Sequence, residues 1–428
     1  MALIDLGDVR EEPVPARRPP RGVGRPARVA VALVLTLVSL AGAAPARPPT
    51  SFTVPARPST TALLQDDRLF LVEPADGPAG QGGQLSAYAV PASGRGELAP
   101  LWRVPLPVPG SAGALVVHRD VVLVNGGVSE DGPRSAFAFD VGTGRLRWQR
   151  PGERVLPAGD ALLTVESGGA EPGRVSSVDP GTGRVGWSVP TPVEATTYRY
   201  RPDGVDRIVV SPASGQVEVR DARSGARLRS GNLRPGELPV YHRSQPVDDL
   251  LLVVRDQAAL VTAYGLDALE RRWEIRLGLV AYFSTCGPLL CAYGQTGGMW
   301  ALDRASGEVR WRATRWHGNG TERGGRMPVT GPGTGSQDAL AILDTATGEV
   351  VADLGDWDLA GGHPSEGRLI GARRDGDDRL TVAEVDVASG RTRTLDVLAD
   401  VSGDCQTGAR LLVCRRVGGS YGIWRLDR

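Results

Sequence analysis

Lysine is absent from all 428 residues, so each of the 49 basic side chains is an arginine. That excludes a Schiff-base lysine and the lysine of a phosphate-binding loop. Histidine occurs four times, at His118, His242, His317 and His363, and no two share a metal-ligand spacing. Asparagine is limited to Asn125, Asn232 and Asn319, and no two cysteines are adjacent. Neither sign of charge is in excess, at 49 against 49, so net charge points to no nucleic-acid partner and no membrane-surface attraction. Aromatic residues make up 5% of the chain, and nine of them are tryptophans.

Several local spellings carry less chemistry than they suggest. Gly418-Gly419-Ser420-Tyr421-Gly422 has the pattern of a hydrolase nucleophile elbow, which must lead from a strand into a helix. Its flanks, Leu411-Leu412-Val413 and Ile423-Trp424, are both strand-like, so a hairpin turn is expected. Asp375, Asp377 and Asp378 lack the remaining ligands of a calcium loop and read as a turn between Leu369-Ile370 and Leu380-Thr381. The glycines of 142–144 and 77–83 precede no helix that could cradle a phosphate. No catalytic or metal-binding residue is nominated, no cofactor is expected, and a cofactor-binding site is left unassigned.

What the chain does have is a returning phrase. Ala138-Phe139-Asp140-Val141-Gly142-Thr143-Gly144-Arg145-Leu146-Arg147-Trp148 is the clearest copy. Asp179, Thr182, Gly183 and Trp187 form a second, and Ala301, Asp303, Ser306, Gly307 and Trp311 a third. The aspartate-to-tryptophan offset is 8 residues in all three. Weaker copies sit at Asp221, Gly265, Asp344, Asp386 and Asp427, at steps of 38 to 44 residues, with a degenerate one near Ala87–Val90. A fixed period of this size signals a stacked or radial repeat.

Each copy reads as a β-hairpin. Leu146 and Trp148 alternate with Arg145 and Arg147, which is period two. Asp-x-x-Thr/Ser-Gly is turn chemistry: the carboxylate accepts backbone N–H groups, and glycine tolerates a positive φ. Another apolar run precedes each hairpin, such as Val121–Val124 and Leu250–Val254. One period therefore holds about four short strands, the content of one propeller blade. A flat indole from one blade needs a shallow site on the next, for which the small residues Ala138, Ser177 and Ala301 are candidates, and a turn carbonyl can take its N–H. Where Arg229, Ala352 and Thr394 replace the tryptophan, looser contacts are expected. Residues 326–335, rich in glycine and proline, are the poorest strand candidate.

The pattern resembles the PQQ-like β-propeller repeat, Ala-x-Asp-x-x-Thr-Gly-x-x-x-Trp. Ala138–Trp148 matches every defined position, and Ala301–Trp311 matches with serine for threonine. The resemblance implies an all-β fold of four-stranded antiparallel blades, eight by the usual family number and seven as the alternative. It spans residues 61–428. The family includes quinoprotein dehydrogenases, the barrel-assembly lipoprotein of outer membranes and many membrane-anchored proteins. Alcohol-oxidising members carry adjacent cysteines and a calcium site that this sequence does not match. The expected function is a non-enzymatic, membrane-tethered scaffold binding a protein or an envelope component; the alternative is a PQQ-dependent oxidoreductase. Trp316–Gly320 and Tyr198–Asp206 are candidate contact regions, and a monomer is expected.

The N-terminus differs in kind. Residues 1–28 are polar and arginine-rich, and 29–44 form an uncharged run of sixteen residues. That is short for a span of ~20 residues and suits a signal-peptide core, but the long acidic-and-basic leader favours an uncleaved anchor. Both readings place the arginines in the cytoplasm and the repeats outside. Residues 45–60 read as a proline-rich spacer. The four cysteines allow three pairings. Cys286–Cys291 and Cys405–Cys414 are expected, because each pair flanks a glycine-containing turn leading into a strand; four free thiols are the other reading.

Overall fold

The computed structural model describes residues 51–426, apart from short stretches at 75–82, 107–113, 126–133, 169–171, 234–241, 256, 258, 319, 334–336, 363–368, 377–378 and 409. Among these residues the chain is built from strands, paired antiparallel apart from two short parallel contacts, with one short 3-10 turn at Val193–Ala195. The strands fall into groups that follow one another along the sequence. Blade 1 comprises Thr61–Gln65, Arg68–Glu73, Gln84–Ala89 and Trp102–Pro105. Blade 2 comprises Leu115–His118, Val121–Asn125, Ser135–Asp140 and Leu146–Pro151. Blade 3 spans Arg154 to Pro190 and blade 4 Thr196 to Asn232, linked through the single pair Ala158–Gly204. Blade 5 spans Arg243 to Arg276, blade 6 Val280 to Ala313, blade 7 Arg326 to Asp356 and blade 8 Asp358 to Ala399. Blade 9 holds Val401–Thr407, Leu411–Arg416, Tyr421–Arg425 and, as its outer strand, Ser51–Val54.

The near-continuous apolar runs follow from this arrangement. A central strand covered on both faces has no polar side to show. Leu250, Leu252 and Val254 pack toward blade 6, while Leu251 and Val253 pack toward blade 4. Phe137 and Phe139 face blade 1, whereas Ala136 and Ala138 face blade 3. One apolar cluster lies at every junction, from blades 1 and 2 through blades 8 and 9, and a further one joins blade 9 to blade 1. The core is a ring of interfaces, with no single centre.

Closure is made by distant segments. Ser51–Val54 pairs with Tyr421–Trp424, and Arg95–Glu97 pairs in parallel along its outer edge. On the inner side Gly361–Gly362 pairs with Gln406–Thr407. Tyr421 donates its hydroxyl proton to the Thr60 carbonyl at 2.9 Å, and Arg415 Nη2 donates to the same carbonyl at 2.6 Å. Both edges of the closing sheet are thereby covered, which removes the open template that edge strands present.

Three expectations change. Eight blades were expected, with the last hairpin serving only to close the ring; the described strands form nine groups. The difference is Val401–Thr407, an inner strand that makes the terminal hairpin a blade of its own. The spacer expected over 45–60 ends earlier, because Phe52 and Val54 alternate inward and make Ser51–Val54 a strand. Arg326–Gly331 is a strand despite Pro328, whose missing N–H is tolerated on a strand paired regularly on only one side. The tail at 1–28 and the hydrophobic helix expected over 29–44 lie outside the described residues. No described helix is long and apolar enough to cross a membrane.

Candidate functional site

The repeat motif builds its turn from one carboxylate. Asp140 Oδ1 accepts the N–H groups of Gly142 at 3.1 Å and Thr143 at 2.8 Å, and the Thr143 hydroxyl at 2.8 Å. The Gly144 N–H reaches back to the Asp140 carbonyl at 2.8 Å. Asp179 and Asp303 repeat this with Thr182 and Ser306. Arg147 adds an ion pair to Asp140, and Arg310 pairs with Asp303 at 3.0 Å. The guanidinium and hydroxyl donors hold the Asp140 carboxyl far below the usual carboxylate range. Arg310, with the Ser306 donors, holds Asp303 at about 2. The Thr182 and Ser389 hydroxyls lower Asp179 and Asp386.

Depressed carboxylates stabilise the fold above their unfolded values near ~3.9 and lose that contribution as pH falls through the folded values. The melting temperature is therefore expected to be flat from about pH 7 to 5 and to fall steeply below about pH 4. Differential scanning calorimetry across that range checks it; a decline beginning near pH 6 contradicts the assignment.

The tryptophans cross to the next blade. Trp148 Nε1 donates to the Pro180 carbonyl at 2.7 Å, Trp187 to Arg223 at 2.8 Å, Trp273 to Arg304 at 2.9 Å and Trp311 to Thr345 at 2.9 Å. Each indole lies on the motif glycine of the next turn. A Cβ added at Gly183 would stand 2.6 Å from Trp148, and one at Gly307, where φ is +75°, 2.5 Å from Trp273. The shallow seat is thus this glycine. The small residue before the aspartate serves its own hairpin instead. Ala138, Ser177 and Ala301 stand directly across that hairpin from Trp148, Trp187 and Trp311.

At one junction that lacks the indole, the seat changes too. Arg229 replaces the tryptophan of blade 4, and the facing turn of blade 5 carries Leu269 at φ +57° where glycine stands elsewhere. With no ring to receive, a side chain fits, and Leu269 packs into the junction. Charge bridges the same blades. Arg199 binds Asp206 through two bonds, at 2.8 and 2.5 Å, and donates to the Asp248 carbonyl at 2.8 Å. Arg201 and Arg304 hold the Asp248 carboxylate at 2.9 and 2.7 Å. Tyr198–Asp206, read from sequence as a contact loop, is the inner hairpin of blade 4, and its charges belong to this network. At the junction of blades 7 and 8 the seat glycine Gly390 is kept and faces Ala352, while Trp357, from outside the motif, is buried in the same junction over Gly371.

The cysteines pair as Cys286–Cys291 and Cys405–Cys414, each joining the first two strands of one blade. The histidines stay apart: His242 meets Ser211 Oγ at 2.7 Å in blades 4 and 5, and His317 lies before blade 7. His363 and Asn319 lie outside the described residues. Among the described residues no group of His, Cys, Asp and Glu is arranged to hold a metal ion. Asp375 sits in the expected turn beside Arg373 and Thr381, while Asp377 and Asp378 are outside the described residues. Gly418–Gly419 is a hairpin turn, with Arg416 N–H bonded to the Ser420 carbonyl at 2.8 Å.

The inner edge of the ring carries residues that the repeat does not announce. Gln245 holds both the N–H and the carbonyl of Phe283 in the next blade, at 2.9 and 2.8 Å. Gln406 does the same to Leu64 and Ala62, at 3.3 and 2.8 Å. These carboxamides satisfy backbone groups that an inner strand leaves open. Blade 7 breaks the pattern. Among the described residues its inner position is taken by 316–318 and 320–322, which bond to the neighbouring strand through His317 with Thr330 and Gly320 N–H to the Pro328 carbonyl. Trp316 is buried against blade 6, and Arg315 lies 4.3 Å over its ring.

A cleft of about 430 Å³ opens beside this irregular segment. Ser284, Thr285 and Gly287 of blade 6 form one wall, and Gly320, Thr321 and Glu322 the other. Glu322 Oε1 accepts the Gly325 N–H at 2.6 Å. Ser284 Oγ meets the buried Tyr293 hydroxyl at 3.2 Å, and Tyr293 stacks on Tyr282 at 4.4 Å and 11°. The sequence marked Trp316–Gly320 as a candidate contact region. Ser284, Thr285, Thr321 and Glu322 went unmarked, because nothing local shows that they converge.

Radial hairpins whose indoles seat on the next blade's Asp-turn glycine define a β-propeller of the PQQ-like repeat class. The chain belongs to the family described as outer membrane protein assembly factor BamB, whose profile matches residues 82–311. Among solved structures, BamB from Moraxella catarrhalis is 17% identical, over 63% of this chain and 79% of that one, with a TM-score of 0.42. The computationally designed Ika8 protein is 14% identical over 73% of this chain and 96% of its own, with a TM-score of 0.47. A europium-containing methanol dehydrogenase is 11% identical over 82% and 81%, with a TM-score of 0.41. No curated protein matches the sequence significantly.

Proposed function

We propose that this chain is a membrane-tethered, extracytoplasmic propeller that acts as a binding scaffold and not as an enzyme. One observation carries the reading: the motif residues are committed to holding blade to blade. The Asp140, Asp179 and Asp303 carboxylates are occupied by their own turns, and the Trp148, Trp187 and Trp311 N–H groups by the next blade. What remains for a ligand is the irregular inner wall and the connecting loops, where propellers place their contacts. Two disulfides favour an oxidising compartment. The uncharged run at 29–44 supplies the tether, and the BamB description of the family accords with an envelope role.

Alkaline phosphatase fused after Arg428 and expressed in a bacterial host is expected to be active, and the fusion to sediment with membranes after an alkaline wash. An inactive fusion, with an active β-galactosidase fusion at the same site, overturns the location. Titration with PQQ and calcium separates the oxidoreductase reading: dye reduction on adding alcohol establishes an enzyme and overturns the scaffold.

A further inference from the structure

Among the features around the ring, the cleft between blades 6 and 7 carries the most chemistry. Its lining is neutral and hydroxylated except for one carboxylate. Ser284, Thr285 and Thr321 each offer a donor and two acceptor lone pairs, and Glu322 offers acceptors only. Among the described residues no arginine or histidine lines it, so they offer an anion no counter-charge there. Glu322 already accepts the Gly325 N–H, so a lone cation would share a partly occupied carboxylate. Among the described residues no large apolar side chain lines it, so they offer an aliphatic ligand no anchor.

One aromatic group, outside the lining itself, lies on the same strand face as Ser284. Side chains two apart on a strand share a face, which puts Tyr282 next to Ser284 along blade 6. Tyr282 is 37% exposed, yet its ring is held against Tyr293, which is 1% exposed. With one face covered, its exposure comes from the other face and the edge. Tyr293 also orders the Ser284 hydroxyl. A fixed aromatic face beside convergent hydroxyls suits a ligand with polar edges and a C–H-rich plane, because the negative ring face attracts weakly positive C–H groups. A pyranose has that shape, and the cleft volume falls in the range of small-molecule sites.

We propose that this cleft binds a short neutral oligosaccharide, with a sugar ring against Tyr282 and its hydroxyls bonded to Ser284, Thr321 and Glu322. The assignment rests on the scaffold reading and names the ligand class for it.

The test uses the purified full-length chain, with chitotriose and maltotriose as probes in isothermal titration calorimetry and saturation-transfer NMR. Saturable binding of at least one is expected, with a dissociation constant of about 0.1–1 mM. Tyr282→Ala is expected to weaken it about tenfold and Thr321→Val about threefold to tenfold, with the thermal midpoint of Thr321→Val unchanged. Val417→Ala, on an exposed hairpin of blade 9, is expected to leave it unchanged. No heat and no transfer from either sugar up to about 10 mM overturns the site, as does equal binding by Tyr282→Ala and Thr321→Val. Failure here with an active phosphatase fusion leaves the scaffold standing. Sugar binding with an inactive fusion leaves the site standing and removes the location.

Discussion

Trp148→Ala is expected to destabilise the protein by about 3–5 kcal/mol, read as a lowered urea midpoint. The indole is 7% exposed and sits in the cluster between blades 2 and 3. Its removal empties that seat and orphans the Pro180 carbonyl. The seat can be tested from its other side. Gly183→Ala is expected to cost about 1–3 kcal/mol, because a methyl group there meets the ring and the backbone is held at φ +67°. In a Trp148→Ala background the clash disappears and only the backbone cost remains, so the double variant should be less destabilised than the sum. Strictly additive costs would show that ring and glycine do not share a seat.

Phe52→Asp is expected to open the ring. Phe52 is 6% exposed and belongs to the cluster that joins blade 9 to blade 1. A carboxylate there loses the apolar contact and must be desolvated or protonated, a cost of several kcal/mol. The neighbouring Thr53→Asp is the control, since period two turns that side chain away from the cluster and Arg416 Nη1 already bonds Thr53 Oγ1 at 3.2 Å. Limited proteolysis should release the segment around 51–60 in Phe52→Asp and spare it in Thr53→Asp. Equal proteolysis and equal melting of the two variants would show that this strand does not close the fold.

Much of the architecture was legible because it is local. An Asp-x-x-Thr/Ser-Gly turn contains its own partners within four residues, so its presence in sequence is nearly its presence in structure. The strand pair around it follows from period two. The two disulfides were legible for the same reason: nine residues or fewer separate each pair. The seat of the indole was misplaced, since Ala138 and Gly183 are both small and only the coordinates show that the first faces Trp148 across its own hairpin while the second receives it. Leu269 shows the same limit from the other side. The sequence marked Arg229 as a lapse in the motif and left Leu269 unmarked, yet they are two halves of one altered junction.

The chain by itself determined the repeat, the turns, the strands and the staples, because each depends on residues within about one period of each other. Tertiary structure alone decided how the described strands group, with two groups joined through the single pair Ala158–Gly204, that Ser51–Val54 supplies the last outer strand, and that Ser284, Thr285, Thr321 and Glu322 meet in one cleft. Those outcomes depend on which distant segments cover each edge of a closed ring. A sequence of near-equivalent strands encodes how each strand pairs with its neighbour, and the number that closes is set by the sum of their packing around the circle.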